Sequence, residues 1–217
     1  MQDFHSRSES AEAMLHQLKN PFDPRFVKCR VGARTKDKTA GIPLFYIDSR
    51  EVMKRLDEVC GIDGWKKTET PIAFGNGGII CELSLRMPNG EWLTKSGVGE
   101  CSKVAPLKGA SSDSMKRAAV NFGIGRYLYY IPNFWCPLDG TGNNFAETPQ
   151  LPEWALPTSG LEDWETVAIK EYNPDRDIDI EENPNIIIDE ASAQDIKDAQ
   201  EERKRELIEY LKHREES

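Results

Sequence analysis

Along residues 79–87 the chain alternates, with Ile79, Cys81, Leu83, Leu85 and Met87 on one side and Ile80, Glu82, Ser84 and Arg86 on the other. Period two with one polar side predicts a strand with one buried and one wet face. Before it, "GWKKTETPIAF" reads as a strand closed by "GNGG" at 75–78, and after it "PNGE" signals a hairpin turn into "EWLTKSG". Together these predict a three-strand antiparallel meander.

Elsewhere the period is helical. Residues 8–19 place Ala13, Met14, Leu15 and Leu18 along a short amphipathic helix, and Pro21 and Pro24 forbid its continuation. "GIPLFYI" (41–47) is a compact apolar strand. In "DSREVMKRLDEVCG", Asp48 and Glu51 have capping-box spacing, Val52, Met53, Leu56, Val59 and Cys60 share a face, and Gly61 stands at the C-cap. A later helix over 113–122 is expected to start at a Ser111-Ser112-Asp113 cap. It would turn Met115, Ala118, Ala119 and Phe122 to the sheet, with Lys116 and Arg117 beside that stripe. Gly123 ends it, and a second short helix runs to Pro132. The fold class that follows is α+β: an antiparallel β-β-β-α core with flanking helices, then an acidic, largely disordered C-terminal tail.

Charge divides the chain at the same place. Over all 217 residues the formal net charge is −9, yet residues 1–145 hold 20 basic and 16 acidic side chains, a net of +4. Residues 146–217 hold 8 and 21, a net of −13. We therefore expect a folded domain over 1–145 and an acidic linker with a C-terminal helix over 146–217. The linker, 146–189, is punctuated by prolines and has no evident core. The helix, 190–215, has apolar residues too sparse for a core element and is expected to be solvated or partner-bound. Within the first region, segment 19–38 carries seven basic and two acidic residues, and segment 103–126 carries five and one. Two such clusters converging on one face would attract a polyanion in a salt-dependent way; solvated surface charge is the plainer alternative.

Candidate catalytic chemistry is sparse. The only histidines, His5, His16 and His213, lie near the ends, which argues against a catalytic histidine in the core. The five cysteines form no CxxC pair, so neither a zinc site nor a redox motif is suggested, and no cofactor or metal is expected. No apolar run reaches a membrane-spanning length and no signal peptide is evident, so the expected location is the cytoplasm.

The order "FYIDSREVMKRLDEVCGIDGW", a strand meander, then "LKGASSDSMKRAAVNFGIGRYLY" resembles the single-strand annealing proteins of the Rad-fifty-two type, in particular the bacteriophage and bacterial members. The likeness covers roughly residues 12–135. It implies an oligomeric ring or helix that binds single-stranded DNA in a basic groove by its phosphates and anneals complementary strands in recombination and double-strand-break repair, without ATP. By the same likeness Lys116 and Arg117 would contact phosphates and Tyr46 would support the groove. The basic residue ahead of Tyr46 would be Lys36, or else Arg34 or Arg30. Lys103 and Lys108 would form a second site for the complementary strand. Where eukaryotic members have a further arginine this chain has Val120, and Arg126 is the candidate substitute. The N-terminal helix is expected at the subunit interface. Beyond DNA and copies of itself, expected partners are the host single-strand-binding protein or a phage exonuclease. The acidic tail would compete for the groove, recruit such a partner, or only solubilise.

Two rival readings remain open at this stage. Asp48, Glu51, Glu82 and Glu91 would hold Mg²⁺ in a DNA nuclease, although the first two already have a capping role. A protein-binding accessory module would work through the C-terminal helix instead.

Overall fold

The computed structural model describes the chain apart from residues 1, 74, 76, 102–105, 158–163, 172–185, 189 and 216–217. In chain order the main elements are α1 (Gln2–Lys19), β1 (Val27–Thr35), β2 (Ala40–Ile47), α2 (Ser49–Cys60), β3 (Trp65–Ile72), β4 (Gly78–Arg86), β5 (Trp92–Glu100) and α3 (Pro106–Val120). A 3₁₀ turn (Arg126–Tyr130), β6 (Cys136–Pro137), α4 (Trp164–Glu171), β7 (Ile186–Ile188) and α5 (Glu190–Glu215) follow. These fall into two compact units, one of residues 1–22 and 47–126, the other of 23–46 and 127–217.

The first unit holds the meander β3-β4-β5, antiparallel throughout. The alternation of β4 is realised: Cys81, Leu83 and Leu85 are fully buried, while Glu82 and Arg86 face water. Ser84, on the wet side, is nonetheless buried and shares a hydrogen bond with Thr94 on β5. The expected turn closes through Met87 N–H to Glu91 and Gly90 N–H to Met87, with Gly90 at φ 87°. Against β4 and β5 lies α3, which buries Ala110, Ser114, Met115, Ala118 and Ala119. Its close approach is possible because β5 presents Gly97 and Gly99. A Cβ on Gly97 would meet the Ala118 nitrogen at 2.3 Å, and one on Gly99 the Ala110 oxygen at 2.3 Å. Small residues on both sides let backbone touch backbone.

Helix α2 packs on α1 and α3 through Val52 and Leu56. Its Arg55 closes the end of α1: one guanidinium nitrogen donates to the carbonyls of Gln17, Leu18 and Asn20, and the group stands 4.1 Å from the Phe22 ring centre. Those carbonyls lie at and just past the helix C-terminus, where they lack intrahelical donors. Gly61 caps α2 at φ 80°, as its position predicts. The Asp48–Glu51 box does not form: Asp48 occupies the N-cap, but its side chain makes no capping hydrogen bond. The start of α3 also differs from expectation. The helix begins at Pro106, a residue suited to a first helical turn because it has no N–H to leave unpaired, so Ser111, Ser112 and Asp113 lie within the helix rather than capping it.

In the second unit the sheet order is β6-β2-β1-β7. Strand β1 lies in the basic stretch that composition left without an element. Its outer partner β7 pairs antiparallel across Ala33–Ile188, Arg34–Ile187 and Thr35–Ile186. The region expected to lack a core contributes to one here. Ile196 of α5 is fully buried with Ala33 and Ile42, beside Leu44, Ile188 and Ala193. Trp164 of α4 packs edge-on against Tyr127 and Tyr130, with ring centres 6.1 and 5.3 Å away. Arg203, 2% exposed, donates to the carbonyls of Tyr129 and Ile131. The helix expected to be solvated or partner-bound thus buries Ile196 and Arg203, while its Ile208 and Leu211 stay exposed.

Candidate nucleic-acid interface

In the first unit the basic pair of α3 is organised by a residue whose sequence position suggests capping. Asp113 lies three positions before Lys116 and four before Arg117, so all three share one helix face. Its Oδ2 accepts from Arg117 Nε at 2.9 Å, and its Oδ1 stands 3.7 Å from Lys116 Nζ. The three side chains are between 29% and 39% exposed. Two cations held by one carboxylate keep a net charge of +1 and an ordered orientation, which suits recognition of a phosphate rather than of a base edge. Lys108, eight positions earlier on the same helix, is exposed. Lys103 lies outside the described residues.

Arg126 follows α3 in the chain and turns back onto it. Its Nε and Nη2 donate to the Val120 carbonyl at 3.1 and 2.9 Å, and Nη2 also reaches the Asn121 carbonyl at 3.2 Å. The sequence offers Arg126 as a substitute for charge missing at Val120, and the guanidinium sits against that residue's backbone. Lys95 on β5 donates to the same Asn121 carbonyl. Sequence reading missed Lys95, since an isolated lysine in a polar strand carries no signal of what it will meet.

The second unit holds the other candidates. The turn between β1 and β2 is closed by Asp37, whose carboxylate accepts from Thr35 Oγ1 at 2.6 Å and from the Thr39 amide and hydroxyl. Those bonds, the Thr35 bond foremost, hold the Asp37 carboxyl below its usual range. With Asp37 so engaged, Lys36 and Lys38 project as exposed cations on a constrained loop. Among the described residues Arg34 makes two long hydrogen bonds, 3.3 Å to the Gly142 carbonyl and 3.4 Å to Asn143 Oδ1. Tyr46 is half-buried on β2. Arg30 is bound to α5, donating to Ser192 Oγ at 2.6 Å and Asp195 Oδ2 at 2.8 Å.

The carboxylates of the nuclease reading do not assemble: among the described residues no three Asp, Glu, His or Cys side chains are grouped to hold a metal ion. Among the same residues no helix is long and apolar enough to cross a membrane.

Comparison with known proteins places the chain among relatives of stated kind. The chain is 36% identical over 143 residues to the single-stranded DNA-binding protein DdrA of Deinococcus deserti, a match covering 65% of this chain and 69% of that protein. It is 34% identical over 150 residues to DdrA of Deinococcus radiodurans, covering 65% and 66%. The second match therefore spans just under two thirds of the relative's length. A family match extends over residues 10–139, from α1 through β6, and takes in every candidate residue named above. The chain belongs to the Rad52/22 family of double-strand break repair proteins.

Proposed function

We propose that this protein binds single-stranded DNA by its phosphates and anneals complementary strands without nucleotide hydrolysis, serving recombination and double-strand-break repair as a homo-oligomeric ring or helix. The observation that carries this reading is the Lys116–Arg117 pair, oriented by Asp113 on a helix seated directly on the meander. Annealing requires that two polyanions be brought together while base edges stay open. Backbone contacts from lysine and arginine meet both needs. The relatives' description as single-stranded DNA-binding proteins supports the same ligand.

On this reading Lys116, Arg117 and Arg126 contact the phosphates of one strand, and Lys103 and Lys108 serve the complementary strand. On the same reading Tyr46 supports a strand contact made by Lys36, or else by Arg34 or Arg30, the last when released from Asp195. Helix α1 contributes to the subunit interface, and repetition of weak sites around an oligomer gives avidity on one strand.

The test is annealing of two complementary oligonucleotides, one fluorescently labelled, without ATP or Mg²⁺. Wild type should accelerate duplex formation, weaken with salt, and lose the effect in Lys116→Ala/Arg117→Ala. A wild-type protein that neither binds nor anneals single strands would refute the reading. Strand cleavage on addition of Mg²⁺ would favour the nuclease instead.

A further inference from the structure

We propose that Trp92, flanked by Lys66 and Arg86 on the face of the meander turned away from α3, is a stacking position for a base of single-stranded DNA; the proposal rests on the single-stranded DNA reading above and deepens it. Register fixes which side chains share that face. Gly97 and Gly99 of β5 abut α3, and they pair with Cys81 and Ile79 of β4. The alternate positions therefore point away from the helix. Among them Lys66 stands opposite Ser84, and Arg86 opposite Trp92. Trp92 is 42% exposed, and Lys66 and Arg86 are exposed as well.

The three side chains form one group. The Lys66 ammonium stands 4.4 Å from the centre of the Trp92 ring, although the two residues belong to β3 and β5. Strands two spacings apart are separated by roughly 10 Å, so these side chains meet above β4. Ser84 lies at that crossing, which accounts for its burial on an otherwise wet face. Arg86 is the direct cross-strand neighbour of Trp92. Neither Lys66 nor Arg86 makes an ion pair or a side-chain hydrogen bond among the described residues. The carboxylates of this face, Glu82 and Glu100, lie toward its other end, with Glu82 roughly 13 Å along β4 from Arg86.

A solitary exposed tryptophan would carry no such meaning. An indole positioned by a lysine, with a second cation beside it, has the composition of a nucleotide site: the ring takes a base by its face and the cations take the flanking phosphates. The Lys66–Trp92 contact is a weak one at an exposed site, so an arriving base exchanges places with the ammonium, which then meets a phosphate. Stacking uses the face of a base and leaves its pairing edge open, as annealing requires. Because α3 covers the opposite side of the sheet, this position is separate from the Lys116–Arg117 pair.

The experiment measures binding of the full chain to oligo(dT), and to an abasic strand of equal length, by fluorescence anisotropy across a KCl series. Thermal unfolding and subunit number are recorded for every variant. The proteins are wild type, Trp92→Ala, Trp92→Phe, Lys66→Gln/Arg86→Gln and Lys116→Ala/Arg117→Ala. We expect Trp92→Ala to weaken oligo(dT) binding about tenfold, within the range for one stacked base, and Trp92→Phe to restore most of it. On the abasic strand Trp92→Ala and wild type should bind alike. Each phosphate contact to a single strand adds about 0.7 to the slope of log K against log salt, so the Lys66/Arg86 variant should lose about 1.4. Should Trp92→Ala unfold, the slope of the Lys66/Arg86 variant decides alone.

Unchanged oligo(dT) binding in folded Trp92→Ala, with weaker binding in the Lys116/Arg117 variant, overturns this inference and leaves the DNA-binding reading standing. An equal loss on the abasic strand overturns the stacking contact as well. A changed subunit number in Trp92→Ala with unchanged affinity assigns the face to a contact between copies of this chain and overturns the inference. Absence of wild-type binding to either strand removes both readings.

Discussion

Arg30 and Asp195 stand 165 positions apart in sequence and 2.8 Å apart in the fold, joining the basic strand β1 to the C-terminal helix α5. Arg30 is thus held by a carboxylate from the acidic part of the chain, and a phosphate would have to displace that partner. The pair is 40% and 35% exposed, so its own strength is within about 1 kcal/mol. We expect Asp195→Asn to tighten oligo(dT) binding by at most roughly fivefold at low salt, the equivalent of that energy, and to leave the thermal midpoint nearly unchanged. Anisotropy titration measures it, and identical affinities would place Arg30 outside the DNA path.

Asp113 relates to its two cations in the same way, but over a single helical turn. Two such helical pairs are worth about 0.5 kcal/mol each. Removing the charge in Asp113→Asn should therefore strengthen strand binding by up to about fivefold. The gain should shrink as salt rises, because the competition removed is electrostatic. Weaker binding in the variant would mean that Asp113 matters more for orienting the pair than for neutralising it.

The seat of α3 depends on two glycines. An alanine at Gly97 or Gly99 drives a methyl into helix backbone at 2.3 Å, which no rotamer change relieves. Overpacking of this kind costs about 1–3 kcal/mol or more, so the thermal midpoint should fall by several degrees, at roughly 2–4 °C per kcal/mol for a chain of this size. DNA binding should fall with it as Lys116 and Arg117 shift. Gly140→Ala, where nothing lies within 4 Å, is the matched control and should be neutral.

Burial pushes the Cys29 thiol up to about 12, with Cys136 adding to the shift and Arg30 opposing it; burial alone lifts Cys60 to about 11. A raised thiol pKa means that the fold favours the protonated form. Its contribution is fully present below the unfolded value near 9 and is lost as pH climbs toward 12. At pH 8 the Cys29 thiolate should be about a thousandfold scarcer in the native protein than in the denatured chain. Alkylation followed by mass spectrometry should therefore find Cys29 slow to react until denaturant is added. Equal rates in both states would contradict its half-buried setting.

What the sequence determined by itself was local. Alternation along 79–87 declared the buried face of β4, glycine placed the C-cap of α2 and the end of α3, and the split of charge separated a basic from an acidic region. Each is a property of neighbours in the chain, where period and turn chemistry speak directly of burial. Tertiary structure decided what those residues meet. That Asp113 binds Lys116 and Arg117 instead of capping followed from where α3 begins. That Ile196 completes the core beside Ala33 and Ile42, and that Lys95 shares a carbonyl with Arg126, follow from chain crossings that no periodicity encodes. A single buried isoleucine or an isolated lysine leaves no pattern, because its role is set by partners far away in sequence and is fixed only when packing brings them together.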